Sequence, residues 1–92
     1  MNEENFEEIW NLILANEGVE FQTIRGIPFT YHVKGNVLQI DDRAQYNLSQ
    51  GNFLNALPFF HPNDLGIMPT AIVGRSYVWG IYNGLINQIQ EF

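Results

Sequence analysis

The sequence predicts an α+β fold in one domain spanning residues 1–92, and three observations carry that prediction. Apolar residues recur at helical spacing over residues 5–17 and again over about 76–90. Residues 19–41 between them alternate apolar and polar, as half-buried strands do. Glycine, proline and asparagine punctuate the places where the chain must turn. The predicted arrangement is an N-terminal helix, a three-stranded antiparallel meander and two C-terminal helices packed on one sheet face. Of the 92 residues 46% are apolar, enough for one small core and no second one.

In the first helix Phe6, Ile9, Trp10, Ile13 and Leu14 form the apolar stripe, and Glu4, Glu7, Glu8 and Asn11 the polar side. Asn5 with Glu8 three residues on has the spacing of a capping box, with Asn2 as the other candidate cap. Acids in the first turn suit the positive end of the helix dipole. Gly18 ends the helix in the manner of a left-handed C-terminal residue.

The Gly35-Asn36 pair predicts a two-residue hairpin turn. That register sets Val33 opposite Leu38, His32 opposite Gln39 and Tyr31 opposite Ile40, so apolar meets apolar and polar meets polar. A loop over Arg25-Gly26-Ile27 then sets Phe21 opposite Tyr31 and Val19 opposite Val33. One sheet face becomes Val19, Phe21, Phe29, Tyr31, Val33, Leu38 and Ile40, and the other Glu20, Gln22, Thr30, His32, Lys34 and Gln39. Residues 42–48 read as a polar connection. Ser49 reads as the N-cap of a short helix, with Leu48 and Phe53 at the staple positions and Pro58 as the stop. Residues 58–70, with three prolines, read as a loop with a turn of helix after Asp64, and 71–73 as a brief strand.

The stretch PTAIVGRSYVWG tests the idea of a phosphate-binding loop. Such a loop requires G-x-x-x-x-G-K-[ST] after a strand. Here its first glycine position is Pro69, which lacks the N–H the loop must donate, and its lysine position is Arg75. A helix cap at Ser76 is the reading that fits. Arg75 at a helix start opposes the dipole, so pairing with Asp41, Asp42 or an N-terminal glutamate, or with a partner, is expected. In the last helix Val78, Ile81, Tyr82, Leu85, Ile89 and Phe92 form one stripe, with Trp79 and Ile86 beside it. Gly80 and Gly84, four apart, let another backbone come close, either inside the domain or in a homodimer.

The net charge of −6 sits wholly in the first segment. Residues 1–20 carry Glu3, Glu4, Glu7, Glu8, Glu17 and Glu20 with no Lys or Arg, while residues 21–92 carry four acids and four bases. That distribution disfavours direct nucleic-acid binding through phosphate neutralisation and suits a basic partner. The aromatic strand residues, the candidates for stacking bases, share the expected core face. No cysteine is present, which excludes a disulfide framework and a thiolate metal site. The acidic start, MNEENFEEIW, is unlike a signal peptide, and no run matches a membrane span, so a cytoplasmic protein without cofactor or metal is expected.

His32 and His61 are the two histidines. His32 with Glu20 on the polar sheet face is the one acid–base pair the pattern offers, and no nucleophile accompanies it. The expectation is therefore a non-enzymatic protein-binding module. Its candidate partner-binding residues are Glu3, Glu4, Glu7 and Glu8 on the acidic helix, and Arg75, Trp79 and Asn83 on the last one. A nucleic-acid-associated accessory domain using the polar sheet face, Lys34 included, is the alternative.

The segments FQTIRGIPFTYHVKGNVLQI, LSQGNFLNALPFFHP and GRSYVWGIYN together resemble a group of small bacterial and phage proteins with an F-x-T-x-x-G-x-x-F-x-Y hairpin and a late S-Y-V-W segment. The resemblance covers residues 21–83 and carries no established activity and no functional residue. Independently of it, the acidic helix sharpens the expectation to a phage or mobile-element inhibitor of a nucleic-acid-handling defence enzyme.

Overall fold

One helix, five consecutive antiparallel strands and then two further helices follow along the chain in an α+β arrangement. A computed structural model describes residues 5–41 and 43–86, with the backbone alone for 43–45. Helix α1 is Phe6–Ala15, followed by strands β1 (Phe21–Gln22), β2 (Pro28–Phe29), β3 (Tyr31–Lys34), β4 (Val37–Ile40) and β5 (Arg43–Ser49). Helix α2 (Gln50–Ala56) runs into a 3-10 turn over Leu57–Phe59, and helix α3 is Arg75–Leu85.

α1 buries Phe6, Ile9, Trp10 and Ile13 of the expected stripe, leaves its fifth residue Leu14 half-buried, and exposes Glu7, Glu8 and Asn11. Asn5 occupies the N-cap position but makes no side-chain capping bond, so the expected capping box does not form. The helix ends two residues before the expected limit, where the Asn16 amide side chain donates to the Leu12 carbonyl at 2.8 Å.

The expected meander is divided into two sheets. β1 and β2 form a two-stranded sheet, and β3, β4 and β5 a three-stranded one in that order. The β3–β4 register is the predicted one: Tyr31 faces Ile40, His32 faces Gln39 and Val33 faces Leu38. The first hairpin is shifted by two residues from expectation, with Phe21 opposite Phe29. The reason lies in the turn. Gly26 N–H donates to the Thr23 carbonyl at 2.8 Å, Thr23 N–H donates to Ile27 at 3.0 Å, and Gly26 has φ +81°. This is a three-residue loop of turn-plus-left-handed-glycine type, which needs the glycine third. The Thr23 hydroxyl also accepts from Ile27 N–H. An even shift keeps Phe21 and Phe29 on the buried face. Val19 leaves that face and is 46% exposed.

Residues 42–48 were expected as a connection, yet 43–49 form β5. Leu48 faces Leu38 and Asn47 faces Gln39, and the Gln39 side-chain amide donates to Asn47 at 3.2 Å. Pairing then jumps to Ile40 opposite Arg43, a large bulge that hides the strand's period from the sequence. Away from β4, the outer side of β3 is bonded by the turn after α1. Gly18 N–H donates to Tyr31 at 3.0 Å, and Val33 N–H donates to the Glu17 carboxylate at 2.6 Å.

Ser49 caps α2 as expected, accepting from Asn52 N–H at 3.1 Å, and both Leu48 and Phe53 are fully buried. Residues 60–74 cross without regular structure, and the expected strand at 71–73 is part of this loop. After Asp64 there is a turn, with Gly66 N–H donating to the Asp64 carboxylate at 2.8 Å.

α3 is the hub, in contact with α1, α2 and β1. Its N-cap is Gly74, in the left-handed region at φ +63°, and Ser76 lies inside the first turn, so the expected serine cap is corrected. A Cβ on Gly74 would lie 2.6 Å from Leu48 Cδ2, so a side chain is excluded by space as well as by conformation. Val78, Trp79, Ile81, Tyr82 and Leu85 are buried. Aromatic rings flank α3 in two runs. One passes from Phe6 through Trp10, Phe53 and Tyr82 to Phe60 and Trp79, and the other from Tyr31 through Phe21, Phe29 and Tyr77 to Tyr46. Such stacked, tilted and edge-on pairs add to burial through the ring quadrupoles. Among the described residues no helix is long and apolar enough to cross a membrane.

Candidate functional site

The expected surface residues divide sharply once placed. Glu7 and Glu8 are exposed on α1, in its first turn. Glu3 and Glu4 lie outside the described residues. Trp79, expected to face a partner, is only 5% exposed, and its indole N–H donates to the His61 carbonyl at 2.9 Å. It is a core residue that also fixes the long loop. Arg75 was expected to pair with a carboxylate or to face a partner. Its Nη1 instead donates to the Met68 carbonyl at 2.8 Å, which explains a cation at a helix start: it holds the loop that leads into the helix. Asn83 is half-buried and lines a groove with Val19, Glu20 and Gly84.

The glycine pair of α3 is used within the chain. A Cβ on Gly80 would meet the Gln22 carbonyl oxygen at 2.5 Å, and one on Gly84 would meet the Phe21 ring at 2.4 Å. Strand β1 thus lies directly on the helix backbone, so the spacing no longer argues for a homodimer.

His32 does not pair with Glu20. Its Nδ1 lies 2.7 Å from the Asp41 carboxylate, and the Thr30 hydroxyl donates to the other oxygen of the same carboxylate at 2.5 Å. The Thr30 and His32 hydrogen bonds hold the Asp41 carboxyl below its ordinary pKa. An ionised Asp41 can only accept, so His32 carries its proton on Nδ1. Threonine, aspartate and histidine side by side invite comparison with a nucleophilic triad. The order is wrong for one. In such a triad the histidine stands between hydroxyl and carboxylate and takes the hydroxyl proton. Here Asp41 stands between, and the Thr30 proton already points at it.

Sequence reasoning missed Asp41 in this cluster. The predicted register contained the signal: one step beyond Tyr31–Ile40, Thr30 falls opposite Asp41, and His32 becomes a diagonal neighbour on the same face.

The second feature is a pair of shallow grooves that share Glu20 in their lining. One is lined by Glu20, Ile27, Pro28, Thr30, Asp41 and Tyr77, together with Phe29. The other is the groove of Asn83. No Lys or Arg occurs among the described residues that line either. Among the described residues no group of His, Asp and Glu has the makings of a metal site.

The chain matches no protein-family model, no curated protein and no solved structure. The site must therefore be read from its own chemistry.

Proposed function

We propose that the protein is a non-enzymatic protein-binding module that engages a basic partner through carboxylates in its N-terminal part. The observation that supports this reading is the exposure of Glu7, Glu8, Glu17 and Glu20 in a stretch with no Lys or Arg before Arg25. A surface of one sign attracts a partner of the other at long range and orients it on approach. In its sharper form the protein is a phage or mobile-element inhibitor of a nucleic-acid-handling enzyme, offering carboxylates where that enzyme binds phosphates. The exposed carboxylates of α1, Glu7 and Glu8, are what favour that form.

The test starts with capture of a partner from nuclease-treated host lysate, followed by affinity measurements on the purified pair. Replacing Glu4, Glu7 and Glu8 with Gln should weaken binding at least about tenfold at low salt, since close charge pairs across interfaces contribute upwards of about 1.5 kcal/mol. Unchanged affinity in that triple variant rules the charge-based reading out.

The alternative, nucleic-acid binding on the polar sheet face, predicts salt-sensitive binding that weakens in Lys34→Ala. Phe21, Phe29 and Tyr31, the strand rings that would stack bases, are buried, so that reading lacks a stacking platform.

A further inference from the structure

We propose that the groove lined by Glu20 and Asp41 is a docking site for an arginine side chain of a protein partner, presented on an extended segment with an apolar neighbour. This inference rests on the protein-binding reading above and gives it a specific site.

Charge complementarity commits the occupant. The groove presents two carboxylates and no cation among its described lining residues. Tyr77 supplies an aromatic ring in the same wall. A guanidinium is planar, carries five donors and stacks on aromatic faces, so it can use both features at once. A lysine ammonium is a point charge that uses only the first. Asp41 retains acceptor capacity. Each of its oxygens takes one hydrogen bond, from Thr30 or His32, and a carboxylate offers about four acceptor sites. Those two bonds also fix its orientation before any partner arrives, which lowers the cost of ordering it on binding.

The rim gives the second half of the argument. Ile27 is 55% exposed on one groove and Val19 46% exposed on the other, and Glu20 lines both. Aliphatic side chains left in water beside a carboxylate suit a segment that alternates a basic and an apolar residue. A free cation or a small polyamine would leave them uncovered.

The experiment is an amide chemical-shift titration of the full chain with two blocked peptides, acetyl-Gly-Leu-Arg-Leu-Gly-amide and its counterpart with Gln in place of Arg. The arginine peptide should shift the amides of Glu20, Ile27, Thr30, Asp41 and Tyr77 saturably, and the glutamine peptide should bind about fivefold more weakly or worse. Glu20→Gln and Ile27→Lys should each reduce binding of the arginine peptide by a similar factor. Ile27→Lys adds a like charge at an exposed position and leaves the core untouched, so it remains informative if Asp41 variants disturb the Thr30–His32 contacts. Equal binding of the two peptides, shifts confined to α1 around Glu7 and Glu8, or no saturable shift each overturn the groove proposal. The two readings fail separately. Loss of partner affinity in the Glu4, Glu7 and Glu8 variant with an inert groove removes only the groove. An active groove with an indifferent α1 removes only the acidic helix.

Discussion

Tyr31 and Tyr82 show what a single polar atom does in a small core. Each hydroxyl donates to a carbonyl at a helix end, Tyr31 to Ile13 and Tyr82 to Phe53. Both carbonyls also accept a backbone N–H, from Asn16 and Leu57 respectively. Tyr31→Phe and Tyr82→Phe therefore leave no acceptor bare, and each should cost only about 1 kcal/mol in denaturant unfolding. Ionisation is another matter. Burial pushes both phenols above their ordinary pKa near 10.0, with the Glu17 charge adding to the effect at Tyr31. The unfolded chain ionises these groups first, so stability is intact below that pH and lost as pH rises beyond it. Tyrosinate absorbance should report these two rings only as the fold opens. Asp41 runs the opposite way. Its lowered pKa means that its contribution is present above the ordinary value of 3.8 and lost as pH falls below it. In Thr30→Val the folded-state carboxyl moves back toward its ordinary value, so less stability should be lost on acidification, which denaturant unfolding at neutral and acid pH will detect. The cluster around Asp41 was legible in the strand register, whereas the role of Arg75 was not, because a backbone carbonyl as partner leaves no mark in the sequence.

At the scale of elements, α3 and its neighbours set the architecture. Gly80→Ala places a methyl against the Gln22 carbonyl oxygen, a backbone atom that cannot turn aside. Overpacking of this kind costs about 1–3 kcal/mol, and the better helix propensity of alanine returns at most about 1. Net destabilisation in thermal unfolding is the expected result, and a stabilised Gly80→Ala would show that β1 can lift off the helix. The loop of residues 60–74 depends on three side-chain donors: Trp79 to His61, Arg75 to Met68 and Asn52 to Val73. Trp79→Phe keeps most of the ring and loses the first of these bonds. It should raise proteolytic nicking in residues 60–66 severalfold with a modest loss of global stability, because local opening draws on local contacts. The β3–β4 hairpin, the α1 stripe and the Ser49 cap could be read from sequence because each is specified by neighbours within about ten residues. β5 could not. Its bulge breaks the alternation, and its partner strand, not its own composition, makes it a strand. The division into two sheets was hidden for a related reason, since the loop at Gly26 decides the register of the first hairpin.

For the whole molecule, placement of charge counts for more than its total. Eight aromatic residues are buried among the described residues, Phe6, Trp10, Phe21, Phe29, Tyr31, Phe53, Trp79 and Tyr82, and none of the described acids is. Glu7 and Glu8 stand on a helix whose other face is committed to the core, so their substitution should leave folding within about 0.5 kcal/mol of the parent chain. Their effect belongs to approach. Exposed carboxylates act at the range of the Debye length, about 10 Å at 0.1 M salt and about 3 Å at 1 M. With a basic partner in hand, Glu7→Gln combined with Glu8→Gln should slow association about tenfold at low ionic strength and leave dissociation nearly unchanged. The two association rates should converge as salt rises, since salt removes from the parent what the substitutions remove from the variant. A groove contact behaves differently. A side chain held between Glu20 and Asp41 makes short-range contacts, so Glu20→Gln should act mainly on dissociation. Stopped-flow rates for the two variants across a salt series therefore separate steering from docking. If both variants act on dissociation alone, the acidic helix is a contact surface and the long-range attraction has no part in recognition.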